Sequence, residues 1–218
     1  GQPPAMASAN NMLAGIYQRL EQSNQAADTY DQKALAPALP LETRRQAVME
    51  EAKLLVTVNQ YTNATQRLER FLKANALDPA ADQLHIQLGE TLLNQFQAAR
   101  ASGPIALSAT NLLEQARSHF DFIINQMTNS SSAGQALLDR GWTLWEEAGF
   151  TLRPEALGEA SAAFQAAVDR LPRSEAQAAA RVKLADCQFE QKYYPLAATN
   201  YTAVLDGYPG ASVVRERF

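Results

Sequence analysis

One spacing recurs along this chain. Ala197, Tyr201, Val204 and Pro209 stand at Ala-x3-aromatic-x2-small-x4-Pro, and Ala160, Phe164, Ala167 and Pro172 match that template without a gap. Looser copies occur at Ala116, Phe120 and Ile123, at Ala64, Leu68 and Phe71, and at Ala26 and Tyr30. Positions i, i+4 and i+7 share one face of a helix, and a small residue at the first lets a second helix approach closely. The Pro then ends the helix, because it cannot continue the hydrogen-bond ladder. A chain built of such units must bury each apolar face against the next unit.

Each of these helices has a partner upstream. Twelve residues before the small residue lie Leu13-Ala14, Glu51-Ala52 and Leu184-Ala185 in three of the units. In the other two the corresponding pairs, Leu88-Gly89 and Arg140-Gly141, lie 27 and 19 residues upstream. From each second-helix Ala to the next first-helix Gly or Ala the counts are 26, 25, 25 and 25, a constancy that chance matches do not produce. Composition agrees: 40 Ala and 26 Leu against 8 Val and 5 Ile favour helices over strands.

Leu-[Gly/Ala]-x2-Tyr followed by Tyr-x2-Ala-x3-[Tyr/Phe]-x2-[Ala/Val]-x4-Pro resembles the tetratricopeptide repeat. The resemblance covers nearly the whole chain and implies an all-α, right-handed superhelix of five antiparallel helix pairs in one domain. The units are expected at 4–38, 41–78, 79–128, 132–172 and 174–209, with 210–218 as the start of a further, truncated repeat. On that reading the chain is a fragment of a longer protein, or its last segment packs on something else. The connections are longer than is usual in the family. Pro172–Glu175 and Pro209–Ser212 are similar to those of its bacterial envelope branch, which includes outer-membrane assembly lipoproteins and periplasmic members linked to the Tol–Pal system. An amide-rich composition, with 5 Lys against 14 Arg, fits a periplasmic or envelope location, with the cytoplasm as the alternative.

Two units carry insertions. The third has 15 extra residues centred on Ser102-Gly103-Pro104, and helical spacing on both sides predicts a longer hairpin. The fourth has seven extra, Gly149 to Glu155, predicted as a loop that ends with Pro at a helix start.

Reactive chemistry is sparse. The sequence holds no Gly-rich phosphate loop and no Gly-x-Ser-x-Gly elbow. His85 and His119 are 34 residues apart, and His85 falls on a packing position. Cys187 is the single cysteine, which leaves neither an intrachain disulfide nor a multi-cysteine zinc site; it is expected as a buried structural thiol. Glu146 and Glu147 are neighbours that point about 100° apart on a helix, so a solvated face is expected rather than a shared proton or metal. A net charge of −4 with no Lys/Arg cluster argues against nucleic acid as the main partner. No apolar run reaches the ~20 residues of a membrane-spanning helix. No catalytic, cofactor-binding or metal-binding residue is assigned, and no enzymatic activity is expected.

In the family the first helices line a concave groove. By register its outward positions here are Asn11, Met12 and Gly15, then Gln46, Met49, Glu50 and Lys53, then Gln83, Ile86, Gln87 and Glu90. The fourth unit adds Gln135, Leu138, Asp139, Trp142 and Trp145, and the fifth Val182, Lys183, Asp186 and Phe189. The Lys/Asn carboxylate clamp of chaperone-binding members is missing from these positions, so chaperone-tail binding is not expected. The expected binding residues are Met49, Lys53, Gln83, Ile86, Gln87, Glu90, Gln135, Leu138, Asp139, Trp142, Trp145, Lys183, Asp186 and Phe189. Met and aromatic side chains in such a groove suit a protein or peptide segment. The alternative for Trp142 and Trp145 is packing beside the enlarged third hairpin. The function this implies is a non-catalytic interaction scaffold. The alternatives are a spacer or self-assembly module acting through the solenoid ends, and a non-catalytic region of a larger protein.

Overall fold

A computed structural model describes the backbone of residues 4–103, 109–151 and 154–217, and the side chains of 20–103, 109–150 and 155–215. These residues are helical, with no strand among them, and the helices pack in chain order. They form two compact units, 1–87 and 88–218.

The first unit holds α1 (Pro4–Leu35), α2 (Leu41–Thr57), α3 (Tyr61–Ala74) and the start of α4 (Ala81–Ala101). α2 and α3 form a hairpin around Ala52, Ala64 and Leu68, each fully buried. Its turn depends on Asn59, which takes a positive φ of 61° that asparagine tolerates better than most residues. Arg45 of α2 is buried and ion-paired to Asp78 at 2.6 Å, and Asp78 also accepts a hydrogen bond from the Ala80 amide at 3.0 Å. The pair expected over 4–38 is not a pair: α1 runs unbroken for 32 residues. Glu21, the counterpart of Asn59, stays within the helix.

The second unit continues with the rest of α4, then α5 (Thr110–Gln126), α6 (Ala133–Thr151) and α7 (Pro154–Arg170). It ends with α8 (Glu175–Glu190), α9 (Tyr194–Gly207) and α10 (Ser212–Arg217). Its hairpins rest on the small–aromatic pairing of the sequence. A Cβ at Gly89 would lie 2.4 Å from the Phe120 ring, and one at Gly141 2.6 Å from Phe164. Only glycine lets these helices come so close. The α8–α9 turn repeats the α2–α3 solution, with Lys192 at φ 67°. Ser174 caps α8 by accepting the Gln177 amide at 3.2 Å.

The two insertions meet each other. Gly149 to Thr151 are helical rather than the expected loop, because they extend α6 alongside the lengthened α4. Phe150 thereby reaches Phe96, edge to face at 5.9 Å, in a cluster with Leu93 and Leu113. Pro154 opens α7 as expected, while 104–108 and 152–153 lie outside the described residues. Glu146 and Glu147 are not a solvated pair. Their divergence on the helix sends Glu146 to Arg100 and Gln97 of α4, and Glu147 to Arg117 of α5 at 2.7 Å.

Candidate functional site

The outward register positions of the fourth and fifth helix pairs converge in the second unit. Trp142 and Trp145 stand one turn apart on α6, and Lys183 reaches across from α8. Its ammonium lies 4.5 Å from the centre of the Trp142 ring and 4.7 Å from that of Trp145. Both indole faces attract the cation, at about 0.5–2 kcal/mol each depending on desolvation. The same ammonium is 3.2 Å from Asp186, one turn further along α8, and Tyr201 of α9 donates its hydroxyl to the other Asp186 oxygen at 2.6 Å. Asp186 is buried; the ammonium offsets its charge and the Tyr201 hydroxyl adds a hydrogen bond.

This relay forms part of the wall of an open pocket of about 460 Å³, lined by Trp145, Lys183, Asp186, Phe189, Glu190 and Tyr201. Phe189 is 53% exposed and packs edge-on against Tyr194 at 5.3 Å. Tyr193, Tyr194 and Leu196, at the adjoining α8–α9 turn, are each more than half exposed. Aromatic surface, a Lys–Asp pair whose carboxylate is buried and an exposed carboxylate at Glu190 therefore share one wall. The arrangement can seat an apolar side chain and offer an acidic group to a neighbouring donor.

The remaining predicted positions divide sharply. Trp142 is mainly structural: it meets Phe164 edge-on at 6.1 Å and packs against two core clusters. Leu138 and Asp139 are buried rather than presented outward. Asp139 accepts both of its hydrogen bonds from Gln135, at 3.0 and 3.1 Å, and burial, reinforced by the charge of Glu90, pushes its carboxyl up to about 7. Val182 is buried as well. In the first unit Lys53 is paired to Glu50 at 2.7 Å, Gln83 is exposed, and Met49, Ile86 and Gln87 are half-buried. The side chains of Asn11, Met12 and Gly15 lie outside the described residues.

Tyr201 and Glu190 were not among the predicted site residues. Tyr201 occupies the aromatic position of the repeat, which reads as pure packing; that its hydroxyl meets Asp186 depends on the pairing of α8 with α9. Cys187 faces the core, fully buried, and burial together with Asp186 pushes its thiol up to about 12. His85 is buried, which lowers its pKa. Among the described residues no cluster of three His, Cys, Asp or Glu is arranged to hold a metal ion, and no helix is long and apolar enough to cross a membrane.

No protein-family model matches the chain, and no curated protein matches it in sequence.

Proposed function

We propose that this protein is a non-catalytic, tetratricopeptide-like scaffold that binds a peptide segment of another protein at the Trp145–Phe189 pocket. The observation that carries the reading is the pocket itself. The half-buried Trp145 and the exposed Phe189 offer aromatic surface beside the Lys183–Asp186–Tyr201 relay, and exposed apolar groups such as Phe189 and its neighbours mark contact sites on protein surfaces. The occupant is an apolar side chain with a basic neighbour. Lys183 is already neutralised by Asp186, which leaves Glu190 as an exposed acidic group at the rim. The superhelical arrangement is part of the proposal; it is supported by the constant repeat register and by the glycine–aromatic contacts of α4 with α5 and α6 with α7. The bacterial envelope is proposed as the location on the family resemblance and composition, and cell fractionation tests it.

Random peptides selected on the native chain and then titrated against Trp145→Ala and Phe189→Ala test the pocket. Selected sequences rich in apolar–basic pairs, with affinity reduced at least about tenfold in either variant at unchanged helicity, support it. Undiminished binding by both variants overturns it.

A second reading, self-assembly, is favoured by α9, where Leu196 is 54% and Leu205 41% exposed. Light scattering decides. A concentration-independent monomer counts against it; a dimer that Leu196→Asp dissociates supports it.

A further inference from the structure

The first unit contains a second pocket, of about 270 Å³, between α1, α2 and α3. Glu51 of α2 lines it and is fully buried, yet among the described residues neither of its carboxylate oxygens has a hydrogen-bond donor. The nearest cation is Arg67, whose Nε stands 3.1 Å from Oε1 but off the hydrogen-bonding direction. Arg67 instead donates to Asp31 at 2.8 Å, and Arg70 takes the other Asp31 oxygen. A buried carboxylate without hydrogen bonds is among the most costly groups a fold can hold.

The rest of the lining explains which partner is missing. Gln60 donates to Asn24 at 3.0 Å and Asn63 donates to Gln60 at 2.9 Å, so these amides satisfy one another in a chain. What stays open is acceptor capacity on Glu51, with the carboxylate of Asp28 also on the wall. Ala27 and Leu55 supply an apolar wall beside it. When Glu51 is ionised, three described carboxylates, Asp28, Asp31 and Glu51, face two described guanidinium groups, Arg67 and Arg70, one negative charge in excess.

We propose that this pocket binds an alkylammonium group, whose N–H donors complete Glu51 while its methylenes lie against Ala27 and Leu55. The group is either a free diamine or the lysine side chain of a peptide. The site is separate from the Trp145–Phe189 pocket and does not depend on that reading. Burial, with the charge of Asp31 added, pushes the Glu51 carboxyl up to about 7, so a bound cation gains most where Glu51 is ionised. Affinity therefore rises as the pH passes upward through neutrality.

The test is an NMR titration of the whole chain carrying ¹³C-labelled glutamate carboxyls. The probes are 1,4-diaminobutane and an Nα-acetyl-lysine amide, with tetramethylammonium as a cation lacking N–H donors. Expected are saturable shifts of the Glu51 carboxyl with the amines, none with tetramethylammonium, and at least tenfold weaker binding to Glu51→Gln. Tighter binding of the lysine derivative assigns the group to a peptide, and tighter binding of the diamine assigns it to a free amine. Unsaturable shifts, an equal response to tetramethylammonium, or full affinity in Glu51→Gln overturn the proposal. Should Glu51→Gln not fold, Asp28→Asn decides: several-fold weaker amine binding supports the site, and unchanged binding overturns it.

Discussion

Phe150 meets Phe96 edge to face, with ring centres 5.9 Å apart and planes at 83°. One ring comes from the lengthened end of α6 and the other from the lengthened end of α4. Two insertions separated by some fifty residues in the sequence thus form a single extension of the core. Each supplies the apolar surface that the other needs.

Phe150→Ala therefore destabilises the second unit. Phe96 is fully buried but Phe150 only partly, so the loss is about 2 kcal/mol, including the ~0.5–1.5 kcal/mol of the ring–ring contact itself. Urea unfolding followed by circular dichroism measures it. A change within error would mean that the extension packs without this contact.

Two glycines of the same helix should respond in opposite directions. A Cβ at Gly141 would meet the Phe164 ring at 2.6 Å, whereas one at Gly149 would meet none of the described residues within 4 Å. Gly141→Ala is expected to cost about 1–3 kcal/mol through overpacking, and Phe164→Leu in the same chain recovers part of that loss. Gly149→Ala is expected to stabilise by roughly 0.5–1 kcal/mol, because alanine loses less freedom in a helix. Thermal melts of the variants give both signs.

The buried Asp139 makes stability depend on pH. Its folded pKa of about 7 lies above that of an unfolded aspartate near 4. Between these values the folded state binds the extra proton, so stability from this group is full below about pH 4 and is lost as pH rises through about 7. Asp139→Asn, which keeps the shape without the charge, should flatten the decline between about pH 4 and 7. An unchanged slope in that variant would assign the dependence elsewhere.

Lys183 joins two indoles to Asp186. Lys183→Met keeps much of the stem but removes the charge, leaving the buried Asp186 without its ammonium partner. We expect a loss of about 2–3 kcal/mol, with a change in tryptophan emission because the cation leaves both ring faces. Emission identical to that of the native chain would place the ammonium away from the rings.

The α2–α3 and α8–α9 hairpins and the small–aromatic contacts were legible in the residue spacing. Helix formation and the burial of one face depend on a local period, which any window of the chain displays. The missing turn in α1 was not legible: Glu21 stays helical where its counterparts Asn59 and Lys192 take positive φ, and a lysine is no better suited to that conformation than a glutamate. The register likewise put Trp142, Trp145, Lys183, Asp186 and Phe189 on the outward positions of neighbouring helices.

What only the tertiary structure decided is what those side chains do there. Trp142 turns inward to Phe164 while Trp145 stays on the pocket wall; Leu138 and Asp139 sink into the core; Glu146 and Glu147 find different arginines. Tyr201 donates to Asp186 across a hairpin, and Glu51 is buried with no hydrogen bond from the described residues. Each outcome depends on how side chains from different helices share space and charge. Periodicity carries the direction in which a residue faces, but the groups that meet it come from elsewhere in the chain.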